Sequence, residues 1–341
     1  MIMRVLEQPV APPLRAEPER PLRIAAVGGG TGLPCVLEGL ATEGADADEE
    51  GEQLIVTAVV TTADDGGSSG ELRRRYGVPA PGDVRNCLVA LAGGTSPLAA
   101  VFQHRFPGDG ALGGHTIGNL VLTALAQRLG DFGRAVDAAA GMLGVRGRVV
   151  PATAAPVELV AELDDGRVVR GETAIAAAHG RVATLRLAGA GVAPESAIEA
   201  IGEADLVVLG PGSLYSSVLA GLLVPGIPEA LRSTSATRVL VVNLFTQAGE
   251  SDGLDAADHV RAVQRHLGDV VDVALAQRPP LPAEAVAAYA AEGAEPVRVD
   301  REAIDAAGAV PMVADLIAGG APGRHDPRKL ARALLAIARV R

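Results

Sequence analysis

The sequence predicts an α/β fold, a mostly parallel sheet held between helices in three layers. Short apolar runs of strand length alternate with segments of helical spacing, the pattern of a doubly wound sheet. Residues 54–62 (LIVTAVVTT) form an uninterrupted, largely β-branched run, as expected of a strand covered on both faces. At least three such runs end in loops dense in Gly, Ser, Asp and Asn, where open parallel sheets bind their ligands.

The elements follow in order. Residues 22–27 (LRIAAV) are a strand, Gly28-Gly29-Gly30-Thr31-Gly32 a glycine loop, and residues 33–40 a helical segment. The acidic residues 42–53 read as a surface insertion before the strand at 54–62, which ends in Asp64-Asp65-Gly66-Gly67-Ser68-Ser69-Gly70. Two loop-to-helix entries come next, PGDVRN at 81–86 and GGHTIGN at 113–119. Between 148 and 187, the alternating stretches VELVAEL, RVVRGET and RVATLRL, broken by Asp164-Asp165-Gly166, predict a small antiparallel insertion of β-ribbons. A helix over 194–204, strands at 204–210 and 238–245, and the loop PGSLYSS at 211–217 restore the α/β pattern. The expected organisation is one α/β domain over 23–341. It is preceded by a disordered leader at 1–22, which mixes Glu, Arg and Pro and lacks the apolar centre of a signal peptide.

Composition removes several classes. The chain has 341 residues, 48% of them hydrophobic, enough for a substantial core. No uncharged apolar run reaches the ~18 residues of a spanning helix. A formal charge of −11 disfavours nonspecific attraction to nucleic acid or anionic lipid. Two cysteines, Cys35 and Cys87, make no CxxC pair; they exclude a disulfide framework and suit a reducing cytosol. Lys329 is the single lysine. A P-loop needs a lysine directly after its glycines, which argues against a Walker-type ATPase or kinase.

A glycine loop exposes backbone N–H groups, and a helix N-terminus behind it favours anions. Gly28, Gly29, Gly30, Thr31, Gly32 and Leu33 fit that role; the plain alternative is a tight turn. The strict GxGxxG fingerprint fails at Leu33, so NAD is the weaker reading, with Asp64 or Asp65 as its ribose partner. Those aspartates would otherwise ligate a magnesium ion bridging phosphates, or cap backbone amides as turn residues. Ser68 would cap the next helix or meet phosphate oxygens. His115 reads as a phosphate donor, a general acid–base or a structural histidine, and Asn86 and Asn119 as ligand donors or caps. Gly210-Pro211-Gly212-Ser213 is a second anion loop, with Tyr215 to stack or donate. Asp258 and His259 read as a solvated helical face.

Together, GGGTGL at 28–33, TTADDGGSSGELR at 61–73, PGDVRN at 81–86, GHTIGNL at 114–120 and GPGSLYSSVL at 210–219 resemble the YvcK-type proteins. These form the gluconeogenesis factor, or UDP-N-acetylglucosamine-binding, family, within the superfamily of CofD-type 2-phospho-lactate transferases. NLFTQAGESDG at 243–253 and GRHDPRKLARALL at 323–335 extend the similarity over nearly everything from Arg23 onward. Ser216 stands where the family usually has Thr, and Ala220-Gly221 where it has Pro-Asn.

The resemblance implies a Rossmann-like α/β/α core, a cytoplasmic location and a nucleotide-diphosphate sugar bound in the cleft. It also implies a regulatory role in cell shape and peptidoglycan precursor control during gluconeogenic growth, with a cell-wall synthesis enzyme as partner. Residues 28–33 and 210–213 would line the nucleotide cleft, Asp64, Asp65 and Asn86 would sit near the phosphates, and Asp83 of PGDVRN is a further ligand-binding candidate. Arg324 would contact the UDP-sugar, its planar fork suited to a diphosphate; the alternative is a surface arginine capping the last helix. A transferase moving a phospho-lactyl or phosphoenolpyruvyl group through magnesium is the rival reading. It needs a flat acceptor to be stacked, for which 2% aromatic residues and no Trp leave little means. A homo-oligomer is compatible with each reading.

Overall fold

The computed structural model describes residues 20–50, 53–93, 96–319 and 323–340; nearly all of the expected leader lies outside them. Its strands are β1 (Leu22–Gly28), β2 (Leu54–Val60), β3 (Arg148–Pro151), β4 (Glu158–Leu163), β5 (Val168–Arg170), β6 (Val182–Ala188), β7 (Leu206–Leu209), β8 (Thr237–Val241), β9 (Val273–Gln277) and β10 (Val310–Ala314). Seven of them form one parallel sheet in the order β10-β9-β8-β7-β1-β2-β3. The other three form a small antiparallel sheet, β5-β4-β6.

The central strands are apolar throughout because both of their faces are covered. In β1, Ala25 and Val27 enter one core and Ile24 and Ala26 the other; in β7, Val207 and Leu209 alternate with Leu206 and Val208 in the same way. After β1 the chain turns to one face as α1 (Gly32–Glu50), whose Leu33, Val36, Leu37 and Leu40 pack there. After β7 it turns to the opposite face through the π-helical turn Leu214–Leu219, whose Leu214, Val218 and Leu219 belong to the other core. Neighbouring strands thus send their chains to opposite sides, which opens a crevice at the strand ends.

Between β2 and β3 lie α2 (Gly67–Tyr76), α3 (Gly82–Leu91), α4 (Pro97–Gln103), α5 (Ile117–Leu129) and α6 (Phe132–Leu143). No single helix among the described residues is long and apolar enough to cross a membrane; one bent pair, Leu214–Leu222 with Ile227–Ser233, passes by length and composition. Its apolar residues Leu214, Val218, Leu222, Ile227 and Leu231 are buried in the core.

Three sequence expectations are corrected. The acidic stretch 42–53 is no insertion: α1 runs on to Glu50. Its polar face finds partners in the helix Pro327–Ala338, Glu43 with Arg332 at 3.1 Å and Asp46 with Arg328 at 3.8 Å. The ribbon insertion is shorter than 148–187, because β3 pairs in parallel with β2 in the main sheet. Part of RVVRGET is helical, as α7 (Glu172–Ala177), while the Asp164-Asp165-Gly166 turn joins β4 to β5 as expected.

The helix Pro327–Ala338 lies so close to α1 that a Cβ on Gly39 would fall on the Pro327 carbonyl. Gly39→Ala is expected to cost about 2 kcal/mol by overpacking, read as a lower urea midpoint; an unchanged midpoint would contradict this account of the contact.

Candidate functional site

Two glycine loops meet at the crevice between β1 and β7. A Cβ on Gly32 would overlap the Pro211 carbonyl and the Gly212 amide nitrogen, and Gly28 lies 3.6 Å from the Gly210 Cα by the same measure. Gly30 has φ +62 and Gly212 φ +143, backbone shapes that L side chains rarely adopt. Neither loop would approach the other this closely with ordinary side chains. Leu33 is different from its neighbours: its side chain is fully buried in the core, so only its backbone belongs to the loop.

A cleft of about 570 Å³ opens above this junction. Its floor is Thr31, Gly32, Pro211, Gly212 and Ser213, and one wall is Pro34, Cys35 and Glu38 of α1. The loop after β8 supplies the second wall. Asn243 accepts from the Gly212 amide at 3.1 Å and donates to the Gly212 carbonyl at 2.7 Å, and Gln247 donates to the Ser213 hydroxyl at 2.8 Å. Phe245 stacks on Tyr289 with ring centroids 4.2 Å apart, and both line the cleft beside Arg324 and His325. Arg324 is exposed and forms no ion pair among the described residues. Burial pushes the His325 ring down to about 4, so it is neutral, and its Nε2 is enclosed without a partner. Burial likewise pushes the Cys35 thiol up to about 12, which leaves it protonated and a poor nucleophile.

Asn243, Phe245, Gln247, Tyr289 and His325 were not among the expected site residues. The first three follow an apolar strand in a polar loop, a legible signal. Tyr289 and His325 are brought in from distant segments and carry no local one.

Five further expected residues, Asp64, Ser68, Asp83, Asn86 and Asn119, line a second pocket of about 230 Å³ together with Ser69, Arg85 and Arg105. Ser68 is tied into a network: Asn119 donates to its hydroxyl at 3.0 Å, and His115 Nδ1 lies 2.9 Å away. His115 Nε2 faces Glu71 at 3.4 Å, and the ring is buried, the placement of the structural alternative. Asn119 also accepts from Arg85 at 2.9 Å, as Asn86 does at 2.7 Å.

Asp64 and Asp65 do not act as a pair. Asp65 accepts from the Thr173 amide at 3.0 Å and its hydroxyl at 2.7 Å, capping α7 and tying the small sheet to this loop. Asp64 accepts from the Gly66 amide at 2.8 Å, and the carboxylates that act on it electrostatically are Asp83 and Glu172. The expected Asp64–Asp65 metal pair is therefore not assembled, and among the described residues no three His, Cys, Asp or Glu side chains are grouped for a metal ion. Tyr215 is also displaced from its expected role. It is buried, its hydroxyl directed at the Val182 carbonyl (3.5 Å) and its ring edge-on to His266. His259 faces the core, with Nδ1 on the Asp255 carbonyl at 2.8 Å, while Asp258 completes a capping box with Asp255.

Three carboxyls act on one another around these pockets, Glu250 buried and Asp83 and Glu172 half-buried. Glu250 accepts from the Tyr215 and Ser216 amides, each at 2.8 Å, and holds the start of the π-helical turn. Burial raises its pKa. Asp83 is pushed up to about 6 by burial, with a contribution from Asp64, partly offset by the Gly30 amide. Glu172, at the start of α7, is raised by burial and then by Asp64, Asp83 and Glu250. A carboxyl raised in the folded state keeps a proton that the unfolded chain has already released, so stability falls as pH rises from the ordinary carboxyl range through the folded pKa. Glu172→Gln is thus expected to leave the melting temperature near wild type at pH 5 and raise it at pH 8. Wild-type and variant curves that run parallel across that window would refute the assignment.

The family described as 2-phospho-L-lactate transferase CofD matches residues 24–317. The gluconeogenesis factor of Halalkalibacterium halodurans is 42% identical over 316 residues, 92% of this chain and 95% of that protein. The gluconeogenesis factor of Bacillus subtilis is 42% identical over 317 residues, 92% and 97% of the two chains. A Bacillus halodurans crystal structure, described as a member of the UPF0052 family, superposes with a TM-score of 0.87 at 40% identity, covering 93% of this chain and 99% of that one. With its ordered loops at the sheet switch and this similarity over nearly its whole described length, the chain belongs to the gluconeogenesis factor family of CofD-like proteins.

Proposed function

We propose that this protein binds a nucleotide-diphosphate sugar of the UDP-N-acetylglucosamine type in the cleft between β1 and β7 and acts as a regulator rather than as a catalyst. The observation that carries the reading is the junction of two glycine loops at the sheet switch, faced by Arg324, which has no ion pair among the described residues, across a cleft of about 570 Å³. Backbone amides on one side and a guanidinium fork on the other suit a diphosphate. Asn243, Gln247 and Ser213 supply the few placed polar groups that fix a ligand's orientation. Phe245 and Tyr289 supply an apolar surface for a base or sugar face.

The regulatory half of the proposal rests on chemistry that is missing from the cleft. Among the described residues that line the cleft, the cysteine is held protonated and the histidine neutral and enclosed, so neither of these two supplies an activated nucleophile or a charged acid. The role would then be exerted through a partner in cell-wall precursor synthesis, in a cytoplasmic protein. The CofD-type transferase is the second reading, favoured by the raised carboxyls Asp83 and Glu172 behind the loop, which such chemistry would use around a cation.

Titration calorimetry with UDP-N-acetylglucosamine, GDP and NAD, with and without magnesium, separates these readings. Saturable UDP-sugar binding, weakened roughly tenfold to a hundredfold in Arg324→Glu and without turnover, is the expected result. Silence with UDP-sugars together with magnesium-dependent GDP binding would put the transferase first.

A further inference from the structure

We infer that Lys329 is a positioning residue for the nucleotide cleft, its ammonium holding in place the segment that presents Arg324. The inference rests on the reading of that cleft as the nucleotide-sugar site and adds the residue that sets the cleft's cation in position.

Arg324 is exposed, and no ion pair among the described residues steadies its guanidinium. Where it reaches is therefore set by its backbone. Two arms, residues 315–319 and 323–326, run antiparallel there. Ile317 stands opposite His325, the Ala318 amide donates to the Arg324 carbonyl at 3.0 Å, and the Asp326 amide donates to the Leu316 carbonyl at 2.7 Å. The arms are anchored to the cleft's walls. The Leu316 amide donates to Gln277 at the end of β9 at 2.7 Å, and the Cys35 thiol of α1 donates to the His325 carbonyl at 3.4 Å. Gly323 lies so close to Tyr289 that a Cβ there would overlap the ring.

Lys329 fastens both arms at once. Its backbone amide donates to Asp326 Oδ1 at 3.0 Å, in the arm after Arg324, where Asp326 caps the helix Pro327–Ala338. Its Nζ crosses to the arm before Arg324 and donates to Asp315 Oδ2 at 2.8 Å and to the Ile317 carbonyl at 3.0 Å. An ammonium carries several donors on one flexible stem, so a carboxylate and a backbone carbonyl are served together. The same hydrogen bond, with the charge behind it, holds the Asp315 carboxyl below the usual carboxylate range. Lys329 is the single lysine of the chain.

The pair is too exposed to matter much for global stability: the side chains of Lys329 and Asp315 are 41% and 53% accessible, and such pairs contribute little. Its consequence is local. By keeping the two arms together, Lys329 restricts the positions open to Arg324 before a ligand arrives. A preorganised side chain has less freedom to lose on binding, so the clamp is felt in affinity rather than in melting.

The test reads the arms and the ligand separately. In ligand-free protein, the Ala318 and Asp326 amides of Lys329→Met are expected to exchange roughly threefold faster or more than in wild type. The amides of β9 keep their rates, and Lys329→Arg restores the arms. In titrations with UDP-N-acetylglucosamine, Lys329→Met is expected to bind roughly three- to tenfold more weakly, with its melting curve unchanged. Lys329→Arg recovers the affinity, and adding Lys329→Met to Arg324→Ala costs nothing further. Unchanged exchange at Ala318 and Asp326, unchanged affinity, or the same loss of affinity in the Arg324→Ala background would overturn the inference. Wild-type protein that fails to bind the UDP-sugar would count against the cleft reading alone, with exchange still deciding whether Lys329 holds the Arg324 segment.

Discussion

The approach of two backbone loops at the centre of the sheet is the constraint on which the rest of this structure depends. β1 and β7 are hydrogen-bonded neighbours, and their chains leave for opposite faces. The crevice between them survives only because Gly32 sits directly on the Pro211–Gly212 peptide with no Cβ between. The surrounding polar residues hold that junction. Asn243 clamps Gly212 from above through both its amide and its carbonyl, and Glu250 takes up the Tyr215 and Ser216 amides that begin the following turn. Burying a carboxylate such as Glu250 is worthwhile because two otherwise orphaned amides find an acceptor.

The same loop divides the molecule's polar interior in two. On one side lies a larger cleft with backbone amides, a stacked aromatic pair and Arg324. On the other lies a smaller pocket where Arg85 and Arg105 are balanced by Asp64 and Asp83 among glycines, serines and asparagines. Asp83 lies against Gly29 of the loop and is influenced by the Gly30 amide. The small sheet takes part as well, since Asp65 caps α7 and places Glu172 among these carboxyls.

The fold was largely legible in the sequence because its central strands are unbroken apolar runs. β1, β2, β7 and β8 announce themselves, and the glycine loops after β1 and β7 mark the switch. The edge strand β10 does not: it contains Pro311 and leaves Val310 and Met312 exposed, so neither period nor hydrophobicity singles it out. The acidic end of α1 has the look of a surface insertion in sequence because its stabilising partners, Arg328 and Arg332, are far away along the chain. For the site, composition located the loops but not the direction of each side chain. Asp64 and Asp65 are adjacent in sequence and diverge in space, and Tyr215 turns inward. The guanidinium pair of the second pocket arises only when α3 and the segment before α5 are folded together.

Amide hydrogen exchange with and without UDP-N-acetylglucosamine tests the central claim most directly, that the junction of the two glycine loops is the nucleotide site. The account predicts slower exchange in residues 29–35, 210–214 and 243–247 when the ligand is present, with little change at the small sheet. Binding without protection of those three segments would contradict it.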